Sequence, residues 1–218
     1  MVRQIFQEQI RELLEDLLGM GQMVSDSIDR SVQALVKRDE ELARQVIDYD
    51  DEINLAQHDI DEKCLVLIAT QQPMAGDLRT ILAVSNVASE LERIGDYTEG
   101  IAKLAIKLSS KPPLKPLIDI PRMAEIGRKM LMESLEAFAR EDADAAPKIG
   151  DQDDVVDALY DQVYRELLVF MMEDPRTITQ ATYLLWIAHN LERIADRTTN
   201  IAERVVFTAS GKIVDLNR

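Results

Sequence analysis

The chain has 218 residues, of which 46% are hydrophobic and 30% charged, with only 8 glycines, 7 prolines and a formal net charge of −15. This composition favours a soluble all-α protein over a sheet protein or a disordered chain, and the acidic excess disfavours direct binding to nucleic acid or anionic lipid. Because no apolar run approaches the ~20 residues of a membrane span and the N-terminus lacks the apolar core of a signal peptide, a cytoplasmic protein is expected.

The first half of the chain predicts three helices. Apolar residues recur there every three or four positions, which is the spacing of amphipathic helices. Gly19 and Gly21 mark a point where the first helix can bend, and Pro73 separates the second helix from the third. The predicted helices run from about residue 3 into the high 30s, from about 40 to 71 and from about 77 to 108. Together they predict one three-helix bundle over residues 1–108.

A proline-rich linker and a second bundle are predicted to follow. The stretch over residues 109–121 holds four prolines and cannot sustain a helix. Residues 122–218 then repeat the plan, and Pro175 separates the last two helices. Their predicted bounds are about 122 to 140, about 143 to 172 and about 177 to 210.

The two bundles are copies of one repeated unit. The sequence LERIGD at residues 91–96 recurs as LERIAD at residues 191–196, an offset of 100 (191 − 91). Residues 34–39 match residues 137–142 at an offset of 103 (137 − 34), so the second copy has lost three residues near the proline turn. Within each motif a Glu and an Asp stand four residues apart, which places both carboxylates on one side of a helix.

Each unit carries a second pair of oxygen-bearing side chains on its second helix, again four residues apart and beside the apolar stripe. If the second and third helices pack antiparallel, the two pairs of a unit face one another. Like charges at this spacing destabilise a helix by about 0.2 to 0.5 kcal/mol, so the repetition predicts a bound cation. Hard oxygen ligands suit magnesium, manganese or iron, and phosphate could complete the shell. The candidate metal ligands are Asp50, Asn54, Glu92 and Asp96 in the first unit and Asp153, Asp157, Glu192 and Asp196 in the second.

Other interpretations of these acids stay open. Acids four residues apart also form ordinary solvated helix faces. Arg93 and Arg193 are expected in ion pairs rather than on phosphate. His58 and His189 lie beside the acids but have no counterpart in the other repeat, so they are minor candidates as ligands.

No catalytic residue is predicted. Cys64 lies in an apolar run and is expected to pack as a small buried side chain, while Trp186 and the methionines are expected in the core or an interface. The sequence has no Gly-rich phosphate loop, nucleophilic triad or zinc spacing. The alternative function, a carboxylate-bridged metal store or di-iron enzyme, would use Glu-x-x-His motifs, and these are absent here.

Several motifs together resemble the PhoU family, the cytoplasmic regulators of bacterial phosphate uptake and phosphate-starvation signalling. They are QQPMAGDLR at residues 71–79, the two LERI motifs, the central proline-rich link and NIAE at residues 200–203. The resemblance covers nearly the whole chain. It implies an all-α fold of two pseudo-symmetric three-helix bundles.

The resemblance also implies metal sites, occupied in some members by multinuclear iron clusters or by other divalent metals. The expected cofactor is therefore iron, manganese, magnesium or zinc. The first unit departs from the pattern, with Asn54 opposite Asp157, and with Gly100 and Lys103 where the second unit has Asn200 and Glu203. The family often places His after the motif aspartate, where this chain has Tyr97 and Arg197. The family's ligand positions fall on Glu92, Asp96, Glu192, Asp196, Asp153 and Asp157.

The function that the resemblance implies is non-enzymatic. Proteins of this kind restrain the high-affinity phosphate ABC transporter when phosphate is ample, and they hold a membrane sensor kinase in its repressing state. The expected partners are the transporter's ATPase subunit and the sensor histidine kinase, reached without a transmembrane segment of the chain's own. Exposed apolar helix shoulders predict a homodimer.

Overall fold

Six long helices account for most of the chain. The computed structural model describes residues 2–216, with side chains from Gln4 onward, and over these residues it contains no strand. A single 3-10 turn, Pro175–Thr177, joins the last two helices. The prediction of an all-α fold built from two related three-helix bundles is confirmed. The helices are α1 (Val2–Lys37), α2 (Glu40–Gln71), α3 (Gly76–Ser109), α4 (Asp119–Arg140), α5 (Ala146–Glu173) and α6 (Ile178–Ser210).

Both copies end their first helix in the same way. Arg38 and Glu141, at equivalent positions (141 − 38 = 103), adopt the left-handed conformation with φ of 58° and 54°. The backbone N–H of the following aspartate, Asp39 or Asp142, then donates to a carbonyl five residues back at 2.9 Å in each copy. A hydrogen bond to the carbonyl five residues back defines a Schellman cap, which both copies form here without glycine.

Two helix starts differ from the prediction. The fifth helix begins at Ala146 rather than near 143, because the Asp142 side chain accepts from the Asp144 N–H (3.1 Å) in a local turn. Its counterpart Asp39 instead caps α2 directly by accepting from the Leu42 N–H at 3.0 Å. The fourth helix begins at Asp119 and includes Pro121, since proline is tolerated in a first helical turn.

The central layer of the molecule is formed by α1, α3, α4 and α6, drawn from both units. In the first unit α2 packs on α1 and α3, and in the second unit α5 packs on α4 and α6. The helix α1 runs unbroken through Gly19 and Gly21, and Gly21 serves close packing. A Cβ at Gly21 would stand 2.1 Å from Leu135 Cδ1 on α4.

The helices α3 and α6 cross antiparallel and hold the two units together. Near one end of the contact, the Glu90 carboxylate accepts from Arg197 Nη1 (3.4 Å) and Asn200 Nδ2 (3.1 Å). Near the other end, a Cβ at Gly100 would stand 2.9 Å from Asn190 Nδ2. This pairing of 90 with 200 and 100 with 190 relates the repeats by a pseudo-twofold axis and leaves α2 and α5 on the outside.

Cys64 packs in the core as predicted. Its thiol donates to the Ile81 carbonyl at 3.6 Å, and burial raises the pKa of the Cys64 thiol to about 12. Within residues 2–216, no helix combines the length and apolarity needed to cross a membrane.

Candidate metal centre

The first acidic face (Asp50, Asn54, Glu92 and Asp96) lies where α2 packs against α3. Asp50 occupies a core-facing position of α2 and is only 7% exposed. The motif glycine of α3 makes room for it, because a Cβ at Gly95 would approach Asp50 Oδ1 to 3.0 Å. A carboxylate is thus pressed against the backbone of the neighbouring helix.

The buried Asp50 carboxylate receives few hydrogen bonds to offset the loss of contact with water. Its Oδ2 accepts from Asn54 Nδ2 at 3.2 Å, but Oδ1 and the Asn54 amide oxygen are buried without a hydrogen-bond partner among the described residues. Burial first, and then the negative charges of Asp96, Glu99 and Glu92, raise the pKa of Asp50 to about 6 against the hydrogen bond from Asn54, which lowers it. Two buried acceptor oxygens of the described chain therefore lack a donor in a region of concentrated negative charge.

The pair on α3 belongs to the same electrostatic group. Burial raises the pKa of Glu92, and the charge of Asp96 adds to the shift. The pKa of Asp96 is raised by burial and then by the charge of Glu99. His58 is close enough for its charge to oppose the shift at Glu92, which places it at the edge of this face.

The second acidic face (Asp153, Asp157, Glu192 and Asp196) repeats the arrangement between α5 and α6. Asp153 is 6% exposed, and its Oδ1 is buried without a hydrogen-bond partner in the part of the chain that the structure describes. Burial first, and then the charges of Asp196, Asp157 and Glu192, raise the pKa of Asp153 to about 7. The pKa of Asp157 is raised by burial and by the charges of Glu192 and Asp196.

An arginine covers the second face. Arg193 Nη2 lies 2.5 Å from Glu192 Oε1, and Nη1 lies 2.9 Å from Asp196 Oδ2. In the first unit Arg93 pairs with Glu90 instead, at 3.3 Å. In the second unit the Arg193 guanidinium thus lies between the Glu192 and Asp196 carboxylates, where a cation would bind.

The donor atoms of both faces suit a hard cation. They are carboxylate and amide oxygens, and three of them are buried without a protein donor in the described chain: Asp50 Oδ1, Asn54 Oδ1 and Asp153 Oδ1. Across residues 2–216, however, no three His, Cys, Asp or Glu side chains converge into a metal-binding group as they stand. Cation binding therefore needs side-chain rotation and, in the second unit, release of Arg193.

Aromatic rings adjoining the second face were not predicted as a group. Tyr160 on α5 lies 6.5 Å from Tyr164 and 6.0 Å from His189 on α6, and His189 lies 5.6 Å from Trp186, measured between ring centroids. His189 Nδ1 is 3.5 Å from Glu192 Oε2. Trp186 is 54% exposed and so lies outside the core. The spacings 160/164 and 186/189 are the sequence signal for this cluster.

Comparison with protein families matches the whole two-unit plan. The family model described as "PhoU domain" matches residues 17–105 and again residues 120–205. The "Phosphate-specific transport system accessory protein PhoU homolog" of Aquifex aeolicus is 42% identical over 207 residues, covering 95% of this chain and 94% of that protein. The protein of the same description from Pseudomonas aeruginosa is 38% identical, covering 96% of this chain and 87% of its own length.

Two solved structures share the fold. The crystal structure of PhoU from Pseudomonas aeruginosa superposes with a TM-score of 0.90 at 38% identity, covering 95% of this chain and all of that one (100%). The phosphate transport system regulatory protein PhoU from Streptococcus pneumoniae superposes with a TM-score of 0.89 at 33% identity, covering 96% of this chain and 99% of that one.

Proposed function

The chain belongs to the PhoU family, and we propose that it restrains high-affinity phosphate uptake and phosphate-starvation signalling when phosphate is ample. Its relatives are described as accessory and regulatory proteins of phosphate transport. This is a family of transport accessory and regulatory proteins, not of enzymes. The alternative of a di-iron enzyme is therefore set aside.

The observation that carries the proposal is the buried carboxylate beneath each acidic face. Asp50 and Asp153 are more than nine-tenths buried, and each keeps one oxygen without a hydrogen-bond donor among the described residues. Buried charges in proteins are normally paired or bound to metal. We infer that a divalent cation completes each face, held by the four side chains already named there.

Metal binding would change the docking properties of the faces without any chemistry being done. A bound cation would cancel part of the repulsion between the acids of neighbouring helices and fix α2 against α3 and α5 against α6. In the second unit it would also free the Arg193 guanidinium. A partner that binds the metal-loaded arrangement more tightly would then be engaged according to metal supply.

The proposed partners are the ATPase subunit of a phosphate ABC transporter and a membrane sensor histidine kinase. A net charge of −15 favours basic partner surfaces and steers association with them. The protein would work in the cytoplasm as a homodimer and reach the membrane only through these partners.

Phosphate uptake in cells tests the proposal. The chromosomal gene is deleted and replaced by wild type, by the double change Asp50→Asn with Asp153→Asn, or by the control Asp154→Asn, which alters an exposed neighbour. In phosphate-rich medium, radiolabelled phosphate uptake should rise on deletion and return to normal with wild type and control. The double variant, at equal protein level, should restore less restraint.

Two results would count against the proposal. Equal phosphate uptake in the deletion and wild-type strains would refute the proposed regulatory role. Full restraint by the double variant would show that the protein works without the buried carboxylates.

A further inference from the structure

We propose that the aromatic face of the second unit, formed by Tyr160, Tyr164, Trp186 and His189, docks an arginine-bearing amphipathic helix of a partner protein. The proposal rests on the docking role put forward above and names the chemistry of one docking partner. It concerns α5 and α6 alone.

The four rings form a continuous surface across two helices. Successive ring centroids from Tyr164 through Tyr160 and His189 to Trp186 are 6.5, 6.0 and 5.6 Å apart. Trp186 is 54% exposed and Tyr164 is 41% exposed. Large aromatic side chains held together at the surface are the residues that most often dominate the binding energy of protein interfaces.

The surface is acidic at one end and apolar at the other, which sets the direction in which a helical partner would lie on it. At one end His189 meets Glu192 of the second acidic face. At the other end, exposed apolar side chains surround the turn between α5 and α6. From Asp157 to Met172 the α5 helix rises about 22 Å, the length of four turns of a partner helix. The exposed apolar residues at this turn are Leu168, Val169, Met172 and Ile178.

Charge and ring chemistry together select arginine in the occupant. A guanidinium can stack on an exposed ring and also form a fork of hydrogen bonds with a carboxylate, whereas an ammonium does this less well. The rings and Asp157, the exposed carboxylate of the second acidic face, offer both partners one turn apart on α5, whereas Glu192 is already held by Arg193. An occupant with leucines over the turn and arginines towards Asp157 matches the face in both respects.

The equivalent surface of the first unit lacks these properties. Tyr160 and Tyr164 correspond to Gln57 and Asp61 (offset 103), and His189 corresponds to Ser89 (offset 100). There the polar groups satisfy one another, since Asp61 accepts from the Gln57 amide and from a neighbouring serine hydroxyl on α3. Docking of this kind is therefore confined to one half of a pseudo-symmetric molecule.

Trp186 is the only tryptophan of the chain, so its fluorescence reports on this face alone. The full-length protein is titrated with a synthetic amphipathic helix of about 16 residues, long enough for four turns, that carries leucines along one side and three arginines at one end. Matched peptides carry lysine or glutamate at the three positions. Binding to protein variants is followed by the anisotropy of a labelled peptide.

The arginine peptide should bind saturably and shift the Trp186 emission to shorter wavelength. The lysine peptide should bind about two- to fivefold more weakly, and the glutamate peptide should not bind. Tyr164→Ala should raise the Kd about tenfold. The control Leu65→Ala removes an exposed apolar side chain at the equivalent of Leu168 in the first unit, and it should leave the Kd unchanged.

Three results would overturn the proposal: no saturable shift, equal binding of the glutamate peptide, or an unchanged Kd for Tyr164→Ala. The same emission shift with neutral phosphatidylcholine vesicles in place of peptide would overturn the helix as occupant. Wild type that restrains phosphate uptake but binds no peptide refutes the aromatic face only. Wild type that binds the peptide but does not restrain uptake refutes only the proposed function.

Discussion

Replacing Asp153 by asparagine should stabilise the metal-free protein at pH 8. In the native state the pKa of Asp153 is raised from 3.8 to about 7, mainly by burial and then by the charge of Asp196. At pH 8 the wild type therefore holds a buried ionised carboxylate that the surroundings disfavour. Asparagine keeps nearly the same shape and carries no charge.

The size and pH dependence of the effect follow from linkage. Between pH 3.8 and about 7, native Asp153 keeps a proton that the unfolded chain has released, so the free energy of unfolding falls as the pH rises through this window. Because each pK unit corresponds to 1.36 kcal/mol, a pKa raised from 3.8 to about 7 means that ionised Asp153 lowers the free energy of unfolding by at most about 4 kcal/mol. Relaxation around the charge lowers this, and we expect a gain on the order of 2 kcal/mol at pH 8 that shrinks by more than half at pH 5.

Urea unfolding in EDTA at pH 5 and pH 8 measures the effect. The control is Asp154→Asn, which removes an equal charge from an exposed position of the same helix. A gain of equal size at both pH values, a loss at pH 8 or the same gain in the control would refute the reasoning. Added Mn²⁺ should reverse the order and stabilise wild type more than Asp153→Asn, because only the native wild-type face binds it well.

Three further outcomes are expected. Gly21→Ala should lower the free energy of unfolding by about 1 to 3 kcal/mol because its Cβ would meet Leu135. Gly19→Ala has open space around it and should raise the free energy of unfolding by up to about 1 kcal/mol. Thermal unfolding of both variants tests this difference. Arg193→Gln should tighten Mn²⁺ binding about fivefold in calorimetry, because the cation no longer displaces two partly exposed ion pairs. Unchanged affinity would count against a cation site at the second acidic face. Cys64 should react with a thiol reagent only on unfolding, as its thiol is buried and its pKa raised, and rapid labelling of the native protein would contradict its placement in the core.

The repeat and the helical periodicity were sufficient to predict the six helices, because both are local properties of the sequence. The start of α5 was wrong by three residues, since Asp142 and its counterpart Asp39 have the same side chain but use it differently. One forms a local turn and the other caps a helix. Which of the two occurs depends on the residues that follow, here a segment containing Pro147.

The facing of the acidic pairs also followed from sequence, whereas the contacts that modify them did not. Arg93 pairs with Glu90, three residues before it on the same helix, whereas the residue at that position before Arg193 is Asn190. That local difference leaves Arg193 without the equivalent partner, but its bridging of Glu192 and Asp196 depends on rotamers set by the fold. The aromatic face was missed for a related reason, since its rings meet across two helices.

Metal content of the full chain, measured by mass spectrometry, tests the acidic faces most directly. The protein is purified without a metal-affinity tag and dialysed against iron, manganese, magnesium or zinc, as wild type and as the double change Glu192→Ala with Asp196→Ala. We predict near-stoichiometric metal on wild type and a clear loss from the second unit in the variant. Equal and negligible metal on both proteins would contradict metal-dependent docking.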